Sequence, residues 1–252
     1  MKQSIICLLI TLSCSLFAQT DNLPFIVGEY SSFKISFGPI NAGFATLKVQ
    51  EIVEKNTIPC YHIIGKGRTA SFFDWFFKVR DVYETFIDTS KLVPINFIRN
   101  IHEGGYSKKQ HYMFNHKDNI VYTQDTSYSI PSNAQDMLSA LFYARTFNKN
   151  DLKQSQSFFV PIFMDEENYN LEIMYLKNEL VETKFGIIDC MVFNPKMQEG
   201  RVFEDEEEMK IWISDDKNHL LIRVEAKIWS GTIKADIVSV DHLKTSLTII
   251  NQ

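Results

Sequence analysis

The chain has 252 residues, with 26 Lys and Arg against 31 Asp and Glu, a formal net charge of −5 at pH 7. Hydrophobic residues make up 45% and aromatics 13%, while Gly numbers 10 and Pro 7. That excludes disordered, collagen-like and Pro-rich classes, and an acidic chain with no basic cluster is unsuited to binding nucleic-acid phosphates.

Chain order begins with a leader. Met1-Lys2-Gln3 precedes an apolar run from Ser4 to Phe17 and a small residue, Ala18. One positive charge, a short apolar stretch and a small residue form a secretion signal, placed at residues 1–18. The run is shorter than the roughly 20 residues a membrane helix needs, and no later stretch supplies a transmembrane span. The expected location is therefore periplasmic or outer-envelope. Thr11-Leu12-Ser13-Cys14 loosely matches a lipid-attachment box, so lipid anchoring at Cys14 stands as an alternative to cleavage after Ala18.

Beyond the leader, period-two alternation dominates. Phe33, Ile35 and Phe37 alternate with Ser32, Lys34 and Ser36; Ala45, Leu47 and Val49 alternate with Thr46, Lys48 and Gln50. Ile222, Val224, Ala226 and Ile228, then Ile233, Ala235 and Ile237, repeat the pattern. Strands with one buried and one wet face pair antiparallel. Turn signals such as Gly38-Pro39-Ile40-Asn41, Gly104-Gly105 and Asp215-Asp216-Lys217-Asn218 separate them. The expected fold is mainly β, a large curled antiparallel sheet or β-barrel of roughly a dozen strands forming a single domain over 24–252. One segment breaks the pattern. Ser132-x-x-Gln135 resembles a capping box, and Met137, Leu138, Leu141, Phe142 and Arg145 follow at helical spacing, predicting a short helix over 134–147. The hairpins on either side of it resemble each other, suggesting a weak internal duplication of about 28–130 and 157–250.

The mature chain keeps two cysteines, Cys60 and Cys190. Export permits a disulfide between them, and two buried apolar thiols is the alternative. The chain has no Gly-x-Ser-x-Gly elbow, His-Glu-x-x-His, phosphate loop or Cys-x-x-Cys, so no catalytic, metal or cofactor residues are assigned. The acidic run Glu204–Glu208 reads as a solvated loop.

Two features stand out. Phe72, Phe73, Trp75, Phe76 and Phe77 crowd one short stretch. They would either close one end of the sheet's core or form an apolar ligand wall or a contact surface. Arg145 lies on the helix's apolar stripe and needs an internal carboxylate or a bound anion. Phe72, Phe73, Trp75, Phe76 and Arg145 are thus the candidate ligand-binding residues.

Val27-Gly28-Glu29-Tyr30, Asn41-Ala42-Gly43-Phe44-Ala45, Asp81-Val82-Tyr83-Glu84, Pro94 with Arg99, Asp136-Met137-Leu138-Ser139-Ala140-Leu141-Phe142-Tyr143-Ala144-Arg145, Trp212-Ile213-Ser214-Asp215-Asp216 and Ser230-Gly231 occur in this order. The pattern resembles the exported domain-of-unknown-function family 3108 of Gram-negative bacteria over nearly the whole mature chain. The resemblance implies an envelope location and a mostly antiparallel β architecture, and supplies no activity. The functional expectation is a non-enzymatic envelope protein binding an apolar or amphipathic ligand, lipid-like or polysaccharide, within the sheet. The alternatives are a scaffolding protein that contacts envelope proteins or surface polysaccharide, and an envelope carbohydrate hydrolase.

Overall fold

In the computed structural model, residues 22–147, 157–197, 209–228 and 231–250 are described. The expected leader at residues 1–18, with Cys14, and the acidic run 204–208 lie outside them. The strands, in chain order, are β1 (Tyr30–Phe37), β2 (Ile40–Lys55), β3 (Ile58–Thr69), β4 (Arg80–Asp88), β5 (Pro94–Glu103), β6 (Tyr106–Asn115), β7 (Ile120–Tyr122), β8 (Ser127–Ser129), β9 (Ser157–Met164), β10 (Glu167–Thr183), β11 (Gly186–Met197), β12 (Met209–Ser214), β13 (Leu221–Ile228) and β14 (Gly231–Asp241). One helix, α1 (Met137–Ala144), falls between β8 and β9.

All the strands join one antiparallel 14-stranded sheet, ordered β8-β7-β6-β5-β4-β3-β2-β1-β14-β13-β12-β11-β10-β9. The chain meanders out from β1 to one edge, crosses through α1, and meanders back from the other edge to β14, which pairs with β1. The sheet curls until its two edges approach, without a continuous ladder between them. Polar contacts bridge the gap. Asn168 Nδ2 donates to Ser129 O at 2.8 Å, and Asp165 in the β9–β10 turn accepts from Arg99 at 2.9 Å and Lys108 at 3.0 Å.

Alternation sets the inner face. On β3, Tyr61 and Ile63 point inward beside Val49 of β2, while His62 and Lys66 take the other face. The helix lies inside the curl. Leu138 and Phe142 pack on Phe25, Tyr61, Ile63 and Ile87, and Ala140 packs with Val160, Ile162 and Met191 on the opposite wall. The helix is shorter than the periodicity predicts and its cap is different. Asp136, not Ser132, is the N-cap, with Ser139 completing a capping box. Gln135 is held extended instead, because Gln135 N donates to Pro161 O and Phe163 N donates to Gln135 O, each at 2.8 Å. Strand-like pairing with β9 thus outcompetes helix for the residues before Asp136.

The two meanders share local construction. A bulge interrupts β2–β3 at Val49/Glu51 and β10–β11 at Tyr175/Lys177. Others interrupt β4–β5 at Phe86/Ile87 and β12–β13 at Trp212/Ile213. Thr89 N donates to Pro59 O at 3.0 Å, and Asp215 N donates to Asp189 O at 2.9 Å, in each case just before a cysteine. Bulges add bend and twist, which such a long sheet needs in order to curl.

Candidate functional site

Between α1 and the inner face of β9–β12 lies a cavity of about 280 Å³. Its helix wall includes Ala140 and Ala144, one turn apart, where small side chains leave room. Its sheet wall is set by strand alternation: Ile162 and Met164 of β9, Leu171 and Ile173 of β10, Met191 and Phe193 of β11, Ile211 and Ile213 of β12. Met137, Met164, Met191 and Met209 all line it. Unbranched, polarizable thioethers adapt to ligands of varied shape. A second hollow of about 260 Å³ lies against Ala45, Gly65 and Gly67 and shares Met137 with the first. A larger hollow of about 390 Å³, beside Asp88, Lys91 and His116, has a mixed polar wall and lies away from the helix.

Arg145 and His219 are the polar side chains of the apolar cavity. Arg145 is 4% exposed and pairs with Glu29, also 4% exposed, through Nη1 to Oε1 at 2.6 Å and Nη2 to Oε2 at 2.9 Å. Nη2 also donates to Pro24 O at 3.2 Å and Asn218 O at 2.9 Å. The guanidinium lies 5.4 Å from the Phe25 ring and 5.1 Å from the Phe142 ring. Its Nη donors are thus committed to the protein, tying the N-terminal segment and the β12–β13 turn to the helix end. The buried Nε alone has no partner. His219 Nδ1 contacts Arg145 O at 2.6 Å.

At the other end of α1, Asp136 is wholly buried. It accepts from Leu138 N and Ser139 N at 2.8 Å each and from Thr85 Oγ1 at 2.6 Å. Burial raises its carboxyl to about 6, and these hydrogen bonds oppose that only in part.

The aromatic segment is elsewhere. Phe72, Trp75, Phe76 and Phe77 are 73%, 84%, 65% and 53% exposed, and Phe73 opens a 3-10 turn, Phe73–Trp75. They neither close the core nor line the apolar cavity. The reason is local. Asp74 accepts from Arg80 at 2.9 and 2.5 Å and from Thr69 at 2.6 Å, which anchors the turn's polar side to the hairpin base and leaves its rings outside. The structure therefore brings Arg145 to the cavity and leaves the aromatics on the surface.

No disulfide joins Cys60 and Cys190. Both are free and buried, in different core clusters, with five strands between β3 and β11 in the sheet order. Burial, chiefly, pushes the Cys60 thiol up to about 11 and the Cys190 thiol up to about 12. The thiolate is the reactive form. Neither cysteine should label with a thiol reagent at pH 8 in the native protein, and both should label in urea. Fast native labelling would contradict this burial.

The sequence alone assigns no site role to Glu29, Asp136 or the small-residue helix face. Ala140 and Ala144 at i, i+4 carried the signal for a hollow beside the helix. Glu29 and Arg145 lie 116 positions apart, and no local pattern links them.

One solved structure shares the fold. The chain is similar to the β-barrel-like protein of domain of unknown function DUF1849 from Brucella abortus, with TM-score 0.54 and 8% identity, covering 87% of this chain and 99% of that one. A Bacteroides fragilis protein described as exported, with a YmcC-like fold, matches with TM-score 0.33 and 11% identity, over 87% and 98% of the two chains. A Parabacteroides distasonis protein described as a lipoprotein matches with TM-score 0.32 and 13% identity, over 87% and 97%. No match was found among curated proteins. The model of the family described as "Protein of unknown function (DUF3108)" matches residues 32–238, from the middle of β1 into β14, and the chain belongs to that family.

Proposed function

We propose that this is an exported cell-envelope protein, not an enzyme, that binds an apolar or amphipathic ligand in the cavity between α1 and β9–β12. The observation that carries the reading is the cavity itself. It is apolar, it approaches the lower end of the ~300–1,000 Å³ common for small-molecule sites, and methionines line it. Export rests on the leader at residues 1–18. The matched bulges and hairpin bonds support the two meanders being copies of one unit within a single domain over 24–252. A carbohydrate hydrolase would need a carboxyl pair. Asp81 and Glu103 come together at the β5–β6 hairpin, where burial and Asp81 raise the Glu103 carboxyl, but neither lines the apolar cavity, so the cavity itself favours ligand binding.

The test is titration with a fluorescent fatty-acid analogue. Wild-type protein should bind it saturably. Ala144→Phe, which fills the cavity from the helix side, should weaken binding by tenfold or more while leaving the melting temperature near wild type. Equal affinity in the variant, or no saturable binding by wild type, would sink the reading.

A further inference from the structure

We infer that the aromatic turn between β3 and β4 is a docking site for an anionic lipid surface. Because the strands form hairpins, the β1–β2, β3–β4 and β5–β6 connections all emerge at one end of the sheet. That end carries exposed Phe72, Trp75, Phe76 and Phe77, flanked by exposed Ile40 and Tyr106 on the neighbouring hairpins. Single exposed apolar residues need no explanation, but a contiguous aromatic group on a water-facing turn does. Trp and Phe are suited to the headgroup boundary, with apolar rings to bury and, in Trp, an N–H that stays wet.

The turn is rigidly presented. Arg80 and Thr69 hold Asp74 at its base, and the Phe77 ring lies over Gly104 of the β5–β6 turn. Gly104 has φ +60, and a Cβ there would come within 2.7 Å of that ring. The support is therefore built from two hairpins.

Charge selects the occupant. Lys66, Arg68, Lys78 and Lys109 are exposed around the aromatics. Lys66 pairs with Val82, Val82 with Asn100 and Asn100 with Lys109, which places both lysines on the same outer face. Asp74, the acidic residue of the turn, is neutralised by Arg80. The chain's net charge is −5, but at physiological salt charges act over only about 8 Å. The local basic collar therefore governs attraction to a surface that the rings enter.

The experiment is flotation of the mature chain with phosphatidylcholine vesicles, with and without phosphatidylglycerol. Wild type should float with the anionic vesicles, and added salt should weaken this. The Trp75 emission, taken as wild type minus Trp75→Phe, should shift to the blue. Phe72→Ser/Trp75→Ser/Phe76→Ser should lose binding by at least tenfold while melting like wild type, since its rings lie outside the core. Lys66→Glu/Lys109→Glu should lose binding to the anionic vesicles. Unchanged flotation of the aromatic variant, binding indifferent to phosphatidylglycerol, or a wild type that instead self-associates through these rings would overturn the inference. Ala144→Phe should float like wild type, which separates this surface from the cavity.

Discussion

Arg145→Ala is expected to lower the unfolding free energy by about 3–5 kcal/mol, the cost of leaving one partner of a buried ion pair uncompensated. The mechanism is specific to this site. Glu29 would be left without its partner in an almost solvent-free position, and the carbonyls of Pro24 and Asn218 would lose their donor. The guanidinium also fills the space between Phe25 and Phe142. Glu29→Ala should cost a similar amount, because it strands the guanidinium instead. Arg145→Lys should recover little, since a lysine ammonium cannot reproduce the two parallel bonds to Glu29. The double variant Glu29→Leu/Arg145→Met is the discriminating case. With no charge left buried, it should be less damaged than either single alanine variant. Urea denaturation of the four variants measures this. If Arg145→Ala unfolds at the wild-type urea midpoint, the pair is not the clamp described.

Asp136 produces the second large effect, and its sign depends on pH. Its folded-state carboxyl is raised from 3.8 to about 6 by burial. A raised value means the folded protein favours the protonated form. The associated stabilisation is fully present below about pH 4 and is lost as pH rises through about 6. Two pH units at about 1.4 kcal/mol each put the change near 3 kcal/mol. Asp136→Asn keeps a good N-cap and its acceptor for Leu138 N and Ser139 N, and it removes the ionisation. Thr85 can then accept from the amide. The stability difference, variant minus wild type, should therefore grow by about 3 kcal/mol between pH 4 and pH 7. Asp136→Ala should be destabilised at both values by about 2–4 kcal/mol, because it leaves buried donors unpaired and loses the cap. Urea midpoints at pH 4 and pH 7 decide this. A pH-independent difference between Asp136→Asn and wild type would show that Asp136 does not titrate in that window.

Much of the architecture was legible in local pattern. The alternation of Phe33, Ile35 and Phe37, or of Ile233, Ala235 and Ile237, is a statement about which face is wet, and it carries over directly to paired strands β1 and β14. The helix was legible through Met137, Leu138, Leu141 and Phe142, but its start was not. Helix propensity for Gln135 loses to its hydrogen bonds with Pro161 and Phe163, which lie in a strand that follows the helix, while Ala134 N donates to Pro131 O in the turn before it. Arg145 drew attention as a cation on an apolar stripe, yet the sequence left open whether a carboxylate or a ligand answered it. The answer, Glu29, comes from the far end of the described chain. The aromatic run was legible only as a concentration of apolar mass. Its placement outside follows from the Asp74–Arg80 pairing across the hairpin base.

By itself, then, the sequence determined the β class, the helix between two runs of strands and the absence of familiar catalytic motifs, because each is a local or periodic property. Tertiary structure alone decided that the cysteines stay apart, that Arg145 serves Glu29, that Ala140 and Ala144 face a hollow and that the aromatic turn faces outward. Each of these depends on how the sheet curls and brings distant strands together, and strand alternation says which face a residue takes without saying what that face will meet.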